Sequence, residues 1–262
     1  MVTQMNVHDQ SDGSLKQMLL FFNLSIRKLA VVGVSCPLFT LLICLVTACI
    51  FQYDDVHETH CRVFNVLPSI SAITGITPQT YLWRFAVAFH VGPRIVIAQV
   101  YYNYFISLLS KPDQTATSVF VNLCYWLNLI EIITICGVTY ISNRENYPVH
   151  EKIFILFMLS SLLYMTAMIK TYGMTHKSMT DYQRKSYRIK KILFTVCVIS
   201  TFTLILFFIK HRYYCHDLAF TWFALSEYVL AISNMAFHFT ITLDFPNEQL
   251  IVAKNFPLLK TD

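Results

Sequence analysis

Six stretches of this chain are long and apolar enough to cross about 30 Å of hydrocarbon, which takes about 17–25 helical residues. They run near 29–51, 85–109, 119–141, 153–169, 192–209 and 218–243. Inside a bilayer no water answers free backbone groups, so a spanning segment is either a helix or part of a closed barrel. Barrel strands alternate apolar and polar residues over about ten positions, and these runs do not. The pattern predicts an all-α polytopic membrane protein of six transmembrane helices, residues 29–244, between tails at 1–28 and 245–262. Composition agrees. The chain is 55% hydrophobic and 13% charged, against about 25% charged in an ordinary soluble domain. Residues 1–28 carry Asp9, Asp12, Lys16, Arg27 and Lys28 without a clean apolar core, so the first span is expected to double as the targeting signal.

Basic residues beside the spans set the orientation. Thirteen of the twenty Lys and Arg fall on the side of the two tails, six fall on the other, and Arg94 lies within the second span. Both termini are therefore predicted to be cytosolic. The segment Arg184–Lys191 reads as a basic loop beside anionic lipid. It accounts for much of the net charge of +5, which makes that charge a topology signal and not a sign of nucleic-acid binding.

With that topology, Cys36, Cys44, Cys49, Cys124, Cys136 and Cys197 fall inside spans, and only Cys61 and Cys215 lie in loops. Both loops face the non-cytosolic side, so a Cys61–Cys215 disulfide is expected, the alternative being two free thiols. The first of these loops, 52–84, is unusually apolar, with Val66, Leu67, Ile70, Ile73, Ile76, Tyr81, Leu82 and Trp83. A free loop of that content would expose too much apolar surface. It is expected to fold back as a cap over the luminal mouth of the bundle or to lie in the membrane interface.

Three spans carry polar stripes. His90 and Arg94 share a face of span two, Asn128 and Glu131 a face of span three, and Glu227, Asn234 and His238 a face of span six. Charge at mid-bilayer costs a few kcal/mol and so faces a partner in the bundle interior. One polar pocket among these spans is expected, with Arg94 set against Glu131 and Glu227. The competing reading is that such residues only glue helices together. Asp244 falls at a helix end and reads as solvated, and His150–Glu151 opens span four, where a helix start favours an acid. No Gly-rich phosphate loop, paired-cysteine metal site or His-Glu-x-x-His motif occurs. No metal and no cofactor are predicted.

The sequence also resembles the post-GPI attachment to proteins factor 2 family, a group of membrane proteins that remodel the lipid of GPI anchors. The resemblance rests on Thr59-His60-Cys61, Leu67-Pro68-Ser69, Pro78-Gln79, Trp83-Arg84-Phe85, His90, Pro93-Arg94 and His150-Glu151. Arg184-Lys185-Ser186-Tyr187, Tyr214-Cys215, Glu227-Tyr228, Asn234 to His238 and Asp244-Phe245 extend it over most of residues 30–250. It implies a multi-pass protein of the Golgi membrane, or also of the endoplasmic reticulum, that returns a fatty acid to lyso-GPI. GPI-anchored proteins, the GPI lipid and membrane lipids are then the partners.

On that reading His90, Glu131, Glu227 and His238 are the catalytic candidates, with His90 as general base. Arg94, Asn128, Asn234, Trp83 and Arg84 are the lipid-binding candidates, with Arg94 on the phosphate. The sequence does not identify the acyl donor. Two alternatives stay open: a non-catalytic partner that presents the anchor to a separate acyltransferase, and a small transporter.

Overall fold

The structure is a computed structural model that describes residues 3–8, 15–109, 115–176 and 178–256. Strands β1 (Thr3–His8) and β2 (Leu15–Ser25) precede the first long helix, α1 (Ile26–Phe51). Two short helices follow, α2 (Tyr53–His57) and α3 (Ile70–Thr74), and then α4 (Gln79–Leu108), α5 (Thr115–Tyr140), α6 (Tyr147–Thr175) and α7 (Asp181–Tyr214). Helix α8 (Ala219–Phe239), one turn α9 (Ile241–Asp244) and strand β3 (Gln249–Phe256) complete the chain.

Each long helix packs on the next in chain order, and α8 returns to α1, so the six close a ring. Four of them, α1, α5, α6 and α7, are long and apolar enough to cross a membrane. Helices α4 and α8 are 30 and 21 residues long, and it is their polar stripes that lower their hydropathy. Those stripes point inward: His90, Arg94, Glu227 and Asn234 are all buried, whereas Phe39, Phe85, Ile133 and Phe202 on the outer surface are more than half exposed. The ring thus turns its polar stripes inward, beside a buried apolar core, and large apolar side chains outward, as lipid favours.

Pro37 lies within α1 and Pro93 within α4. A proline has no N–H and frees the carbonyl four residues earlier. For Pro37 that carbonyl belongs to Gly33. Gly33 also lets α4 approach closely, since a Cβ there would sit 3.2 Å from Pro93 Cβ. Helix α6 starts on Asn146, whose side chain accepts the Val149 N–H, and α7 starts on a capping box between Thr180 and Gln183.

The apolar loop is a cap, the first of its two expected placements. Val56, Ala72 and Ile73 are buried against Leu41, Cys44 and Ala48 of α1 and against Tyr228 and Met235 of α8. The Cys61–Cys215 disulfide is formed, with Cα atoms 5.4 Å apart. Beside it Leu218 N–H donates to the Phe64 carbonyl at 3.0 Å, and Val66 N–H donates to Thr221 Oγ1 at 2.9 Å. Arg62, Cys215 and Leu218 all have positive φ, a conformation that costs a side-chain-bearing residue about 1–2 kcal/mol. The cap is therefore stapled where the backbone is least relaxed.

The structure corrects three expectations and adds one pairing. Tyr81, Leu82 and Trp83 are not loop residues, because α4 begins at Gln79. Arg184–Lys191 is not a loop but the first turns of α7, which at about 1.5 Å per residue is about 50 Å long and outruns the hydrocarbon. The described parts of the two tails meet: β2 pairs antiparallel with β1 and β3 in a three-stranded sheet, with Met5 opposite Met18 and Leu19 opposite Lys254. Hydropathy patterning has no means of seeing such a long-range pairing. Asp244 is not solvated. It is buried and takes Lys190 Nζ at 2.5 Å and the hydroxyls of Tyr101 at 2.5 Å and Tyr172 at 2.9 Å.

Candidate functional site

The predicted interior is present and has two parts. The first is a hydrogen-bond network in mid-bundle. Arg94 Nη2 donates to Glu131 Oε2 at 2.7 Å and to Asn128 Oδ1 at 3.0 Å. Asn234 Nδ2 donates to Glu131 Oε1 at 2.7 Å and to Ser161 Oγ at 2.6 Å. His238 Nε2 lies 3.2 Å from the same Glu131 oxygen, and its ring stacks on Tyr164 with centroids 5.3 Å apart. Glu131 is fully buried. Such a carboxylate is tolerable only with this many donors, since an unanswered buried charge costs several kcal/mol. Of the two acids predicted to balance Arg94, Glu131 does so. Glu227 does not.

Glu227 belongs to the second part, nearer the cap. Its Oε2 accepts the Ile70 backbone N–H at 2.8 Å, which holds the first turn of α3. Ser69 Oγ accepts the Ala72 N–H at 3.1 Å in the same turn. These two acceptors fix the direction of Ser71, whose Oγ lies 2.9 Å from His150 Nε2. His150 Nδ1 lies 2.7 Å from the Ile141 carbonyl. A carbonyl only accepts, so Nδ1 carries the ring proton and Nε2 accepts from the Ser71 hydroxyl.

His90 follows the same logic. Its Nδ1 donates to the Gly33 carbonyl at 2.8 Å, the carbonyl that Pro37 leaves free, and Nε2 keeps the lone pair.

Two cavities meet at this second part. One, of about 100 Å³, is lined by His90, Arg94, Asn234 and Trp83 together with Ser71, His150 and Glu227. The other, of about 350 Å³, runs between α6, α7 and α8 along Phe154, Ile155, Leu204, Phe208 and Phe223. Ser71, His150, Phe154 and Glu227 line both. Both cavities are lined mainly by apolar side chains, and the smaller one also carries the buried polar groups of His90, Arg94 and Asn234.

Arg84, predicted to bind lipid, lies elsewhere. It pairs with Glu145 at 2.7 Å at the rim of the cap and donates to the Tyr140 carbonyl at 3.1 Å. Hydrogen bonds from Arg84 and Ser142 hold the Glu145 carboxyl low, at about 2.

Comparison with known proteins adds the lineage. Residues 25–248 match the Frag1/DRAM/Sfk1/Cwh43P N-terminal domain family. A Drosophila melanogaster protein named post-GPI attachment to proteins factor 2-like is 53% identical over 251 residues, which cover 94% of this chain and 77% of that protein. This chain belongs to the post-GPI attachment to proteins factor 2 family. A second relative, "Acyltransferase PGAP2" of Xenopus tropicalis, is 37% identical over 88% of this chain and 92% of its own length. The Caenorhabditis elegans post-GPI attachment to proteins factor 2 is 32% identical over 84% and 85%. No solved structure matches.

Within this family member, sequence reasoning found the stripe residues but missed the Ser71–His150 contact. It favoured a helix start for His150 over a functional role and did not single out Ser71. One signal was available. Pro37, four residues after Gly33, announces a free carbonyl, but it says nothing about which side chain takes it. The Lys190–Asp244 pair was likewise hidden, because one member was placed in a loop and the other in solvent.

Proposed function

We propose that this protein remodels the fatty-acyl part of GPI anchors by transferring an acyl chain to lyso-GPI, in the membranes of the Golgi and the endoplasmic reticulum. One observation carries the reading: a cavity that holds the polar groups of His90, Arg94, Ser71 and His150 adjoins a larger apolar cavity at residues lining both. The names of the relatives supply the substrate class, since one is a post-GPI attachment factor and another an acyltransferase. The six long helices then all span the membrane, the sheet faces the cytosol and the cap faces the lumen. A formed disulfide in the cap supports that orientation, because oxidising compartments keep such bonds.

In this arrangement the anchor's phosphate and glycerol enter the smaller cavity and its acyl chain lies in the larger one. Arg94 Nε is buried without a hydrogen-bond partner among the described residues, and its N–H is the donor offered to the phosphate. His90 contributes a second polar contact through its cavity-facing ring, and Trp83 closes the wall. Glu131, Asn128, Asn234 and His238 hold Arg94 in place. The transferred group ends on a lyso-lipid hydroxyl, so the chemistry asked of the protein is removal of one proton and activation of one acyl carbonyl.

The test is direct. Purified full-length protein in liposomes is given lyso-GPI and an acyl donor, and the lipid is analysed by mass spectrometry. The expected result is a diacyl product that depends on the protein. Tight binding of lyso-GPI with no product under either a phospholipid or an acyl-coenzyme A donor would replace this reading with that of a presenting partner.

A further inference from the structure

We propose that Ser71 is an acyl-accepting nucleophile and His150 its general base, so that transfer proceeds through an acyl-serine intermediate. The inference rests on the acyl-transfer reading above and adds the residue on which the chain is parked. The donor is a fatty-acyl ester or thioester.

Three observations carry it. The Ser71 hydroxyl donates to a histidine nitrogen at 2.9 Å, within the reach a nucleophile and its base require. The other nitrogen of that ring is committed to a backbone carbonyl at 2.7 Å. That bond fixes the tautomer with its lone pair toward the serine, the orienting role that a third group plays in Ser–His catalysis. Finally, both side chains line the two cavities together, so the hydroxyl sits where the carbonyl of a chain lying in the larger one would emerge.

A merely structural Ser–His tie between cap and α6 does not need to stand at the junction of two cavities. The Arg94–Glu131 network shows how this protein builds such ties, with donors and acceptors closed on one another.

Ser71 Oγ attacks the donor carbonyl carbon while His150 Nε2 takes the hydroxyl proton. The bond from carbonyl carbon to the donor's oxygen or sulfur breaks, and the leaving group departs with that proton. The lyso-lipid hydroxyl then attacks the acyl-serine, its proton passing through His150 Nε2 back to Ser71 Oγ. Nothing is oxidised or reduced, and the protein returns to its starting state.

The experiment uses the full chain in detergent or liposomes. Wild-type protein is incubated with dipalmitoyl phosphatidylcholine in one arm and palmitoyl-coenzyme A in another, with no lyso-GPI present. It is then quenched in acid and mapped by peptide mass spectrometry. The expected result is a palmitoyl adduct on Ser71 in the arm holding the true donor, discharged when lyso-GPI is added.

Ser71→Ala removes the adduct and lowers transfer about 100-fold or more. His150→Gln slows adduct formation to a similar extent. Ser71→Cys carries the chain as a thioester that neutral hydroxylamine releases. An intact Cys61–Cys215 bond and unchanged elution certify that each variant is folded.

The proposal is overturned if wild-type protein makes product with Ser71 unmodified in both arms, or if Ser71→Ala transfers within twofold of wild type. It is also overturned if neither adduct nor product forms with either donor. An adduct on Ser71 that lyso-GPI does not discharge supports the nucleophile while removing GPI as the acceptor, which separates the two readings.

Discussion

Two buried polar regions of this protein use the same kinds of side chain to opposite ends. In mid-bundle, Arg94, Asn128, Glu131, Ser161, Asn234 and His238 close on one another, and at the sheet end Lys190, Asp244, Tyr101 and Tyr172 do the same. Nearer the cap, Ser71 and His150 meet at the junction of two cavities. The closed clusters are rich in charge and, Arg94 Nε apart, spend it on one another. The open one has volume, a hydroxyl and an imidazole nitrogen. A buried charge inside a bundle is therefore a weak guide to chemistry when its partners saturate it. Unfilled space beside an oriented imidazole is the better guide.

That contrast can be broken. Arg94→Ala leaves Glu131 buried without its main counter-charge, and Asp244→Asn does the same to Lys190. Each is expected to destabilise the protein by about 3–5 kcal/mol, read as a fall in thermal unfolding temperature in detergent. Should Arg94→Ala instead leave unfolding unchanged, the mid-bundle network is not a structural tie and the contrast fails.

Next in size is the staple of the cap. Cys215→Ser should lower stability by about 2–5 kcal/mol and raise proteolysis within 52–78, because the disulfide joins residues 154 apart in sequence. Equal protease resistance in both proteins would mean that the apolar packing of the cap suffices alone.

A smaller effect sharpens the cap-side region. A Cβ at Gly75 would stand 2.3 Å from Asn143 Oδ1 and 2.8 Å from the Ser71 carbonyl oxygen. Gly75→Ala must therefore displace one or both, at about 1–3 kcal/mol, and is expected to reduce acyl transfer more than it reduces the unfolding temperature. Proportionate losses in both would show that Ser71 is not placed for chemistry.

The smallest effect belongs to Arg84 and Glu145 at the rim. The Glu145 carboxyl is held below its ordinary range, at about 2, first by its hydrogen bond to Arg84. A depressed folded-state value stabilises the fold above the unfolded value and loses that contribution as pH falls from about 4.5 toward 2. The pair is half exposed on the Glu145 side, so the contribution is under about 1 kcal/mol. Melting curves at pH 5 and pH 3 should differ slightly more for wild type than for Glu145→Gln.

Much of the architecture was legible before any coordinates. Runs of apolar residues longer than a bilayer is thick locate the six long helices, because segment length and hydropathy are local properties. Loop cysteines on one predicted side locate the disulfide for a similar reason. The stripe His90 and Arg94, the stripe Asn128 and Glu131, and the stripe Glu227, Asn234 and His238 were legible from helical spacing alone.

Their partners were not. Spacing ranks residues by face, whereas pairing depends on rotation and depth of helices distant in sequence. Glu131 and Glu227 looked equivalent as counter-ions to Arg94, yet a few ångströms of helix placement put one on the guanidinium and the other on the α3 backbone. Segment ends were harder again. Lys190 and Asp244 sit beyond the strongest hydropathy, where a pattern cannot tell a solvated end from a packed one.

What the chain determined by itself is therefore the set of long helices, the apolar cap, its pinning cysteines and the inward face of each stripe, all consequences of composition and periodicity over short windows. Tertiary structure alone decided which polar groups close on one another and which stay open. It set Ser71 of the cap against His150 of α6 across 79 residues of sequence, and it left two cavities beside them. Contacts of that kind depend on the relative placement of whole elements, and no local window of sequence contains that information.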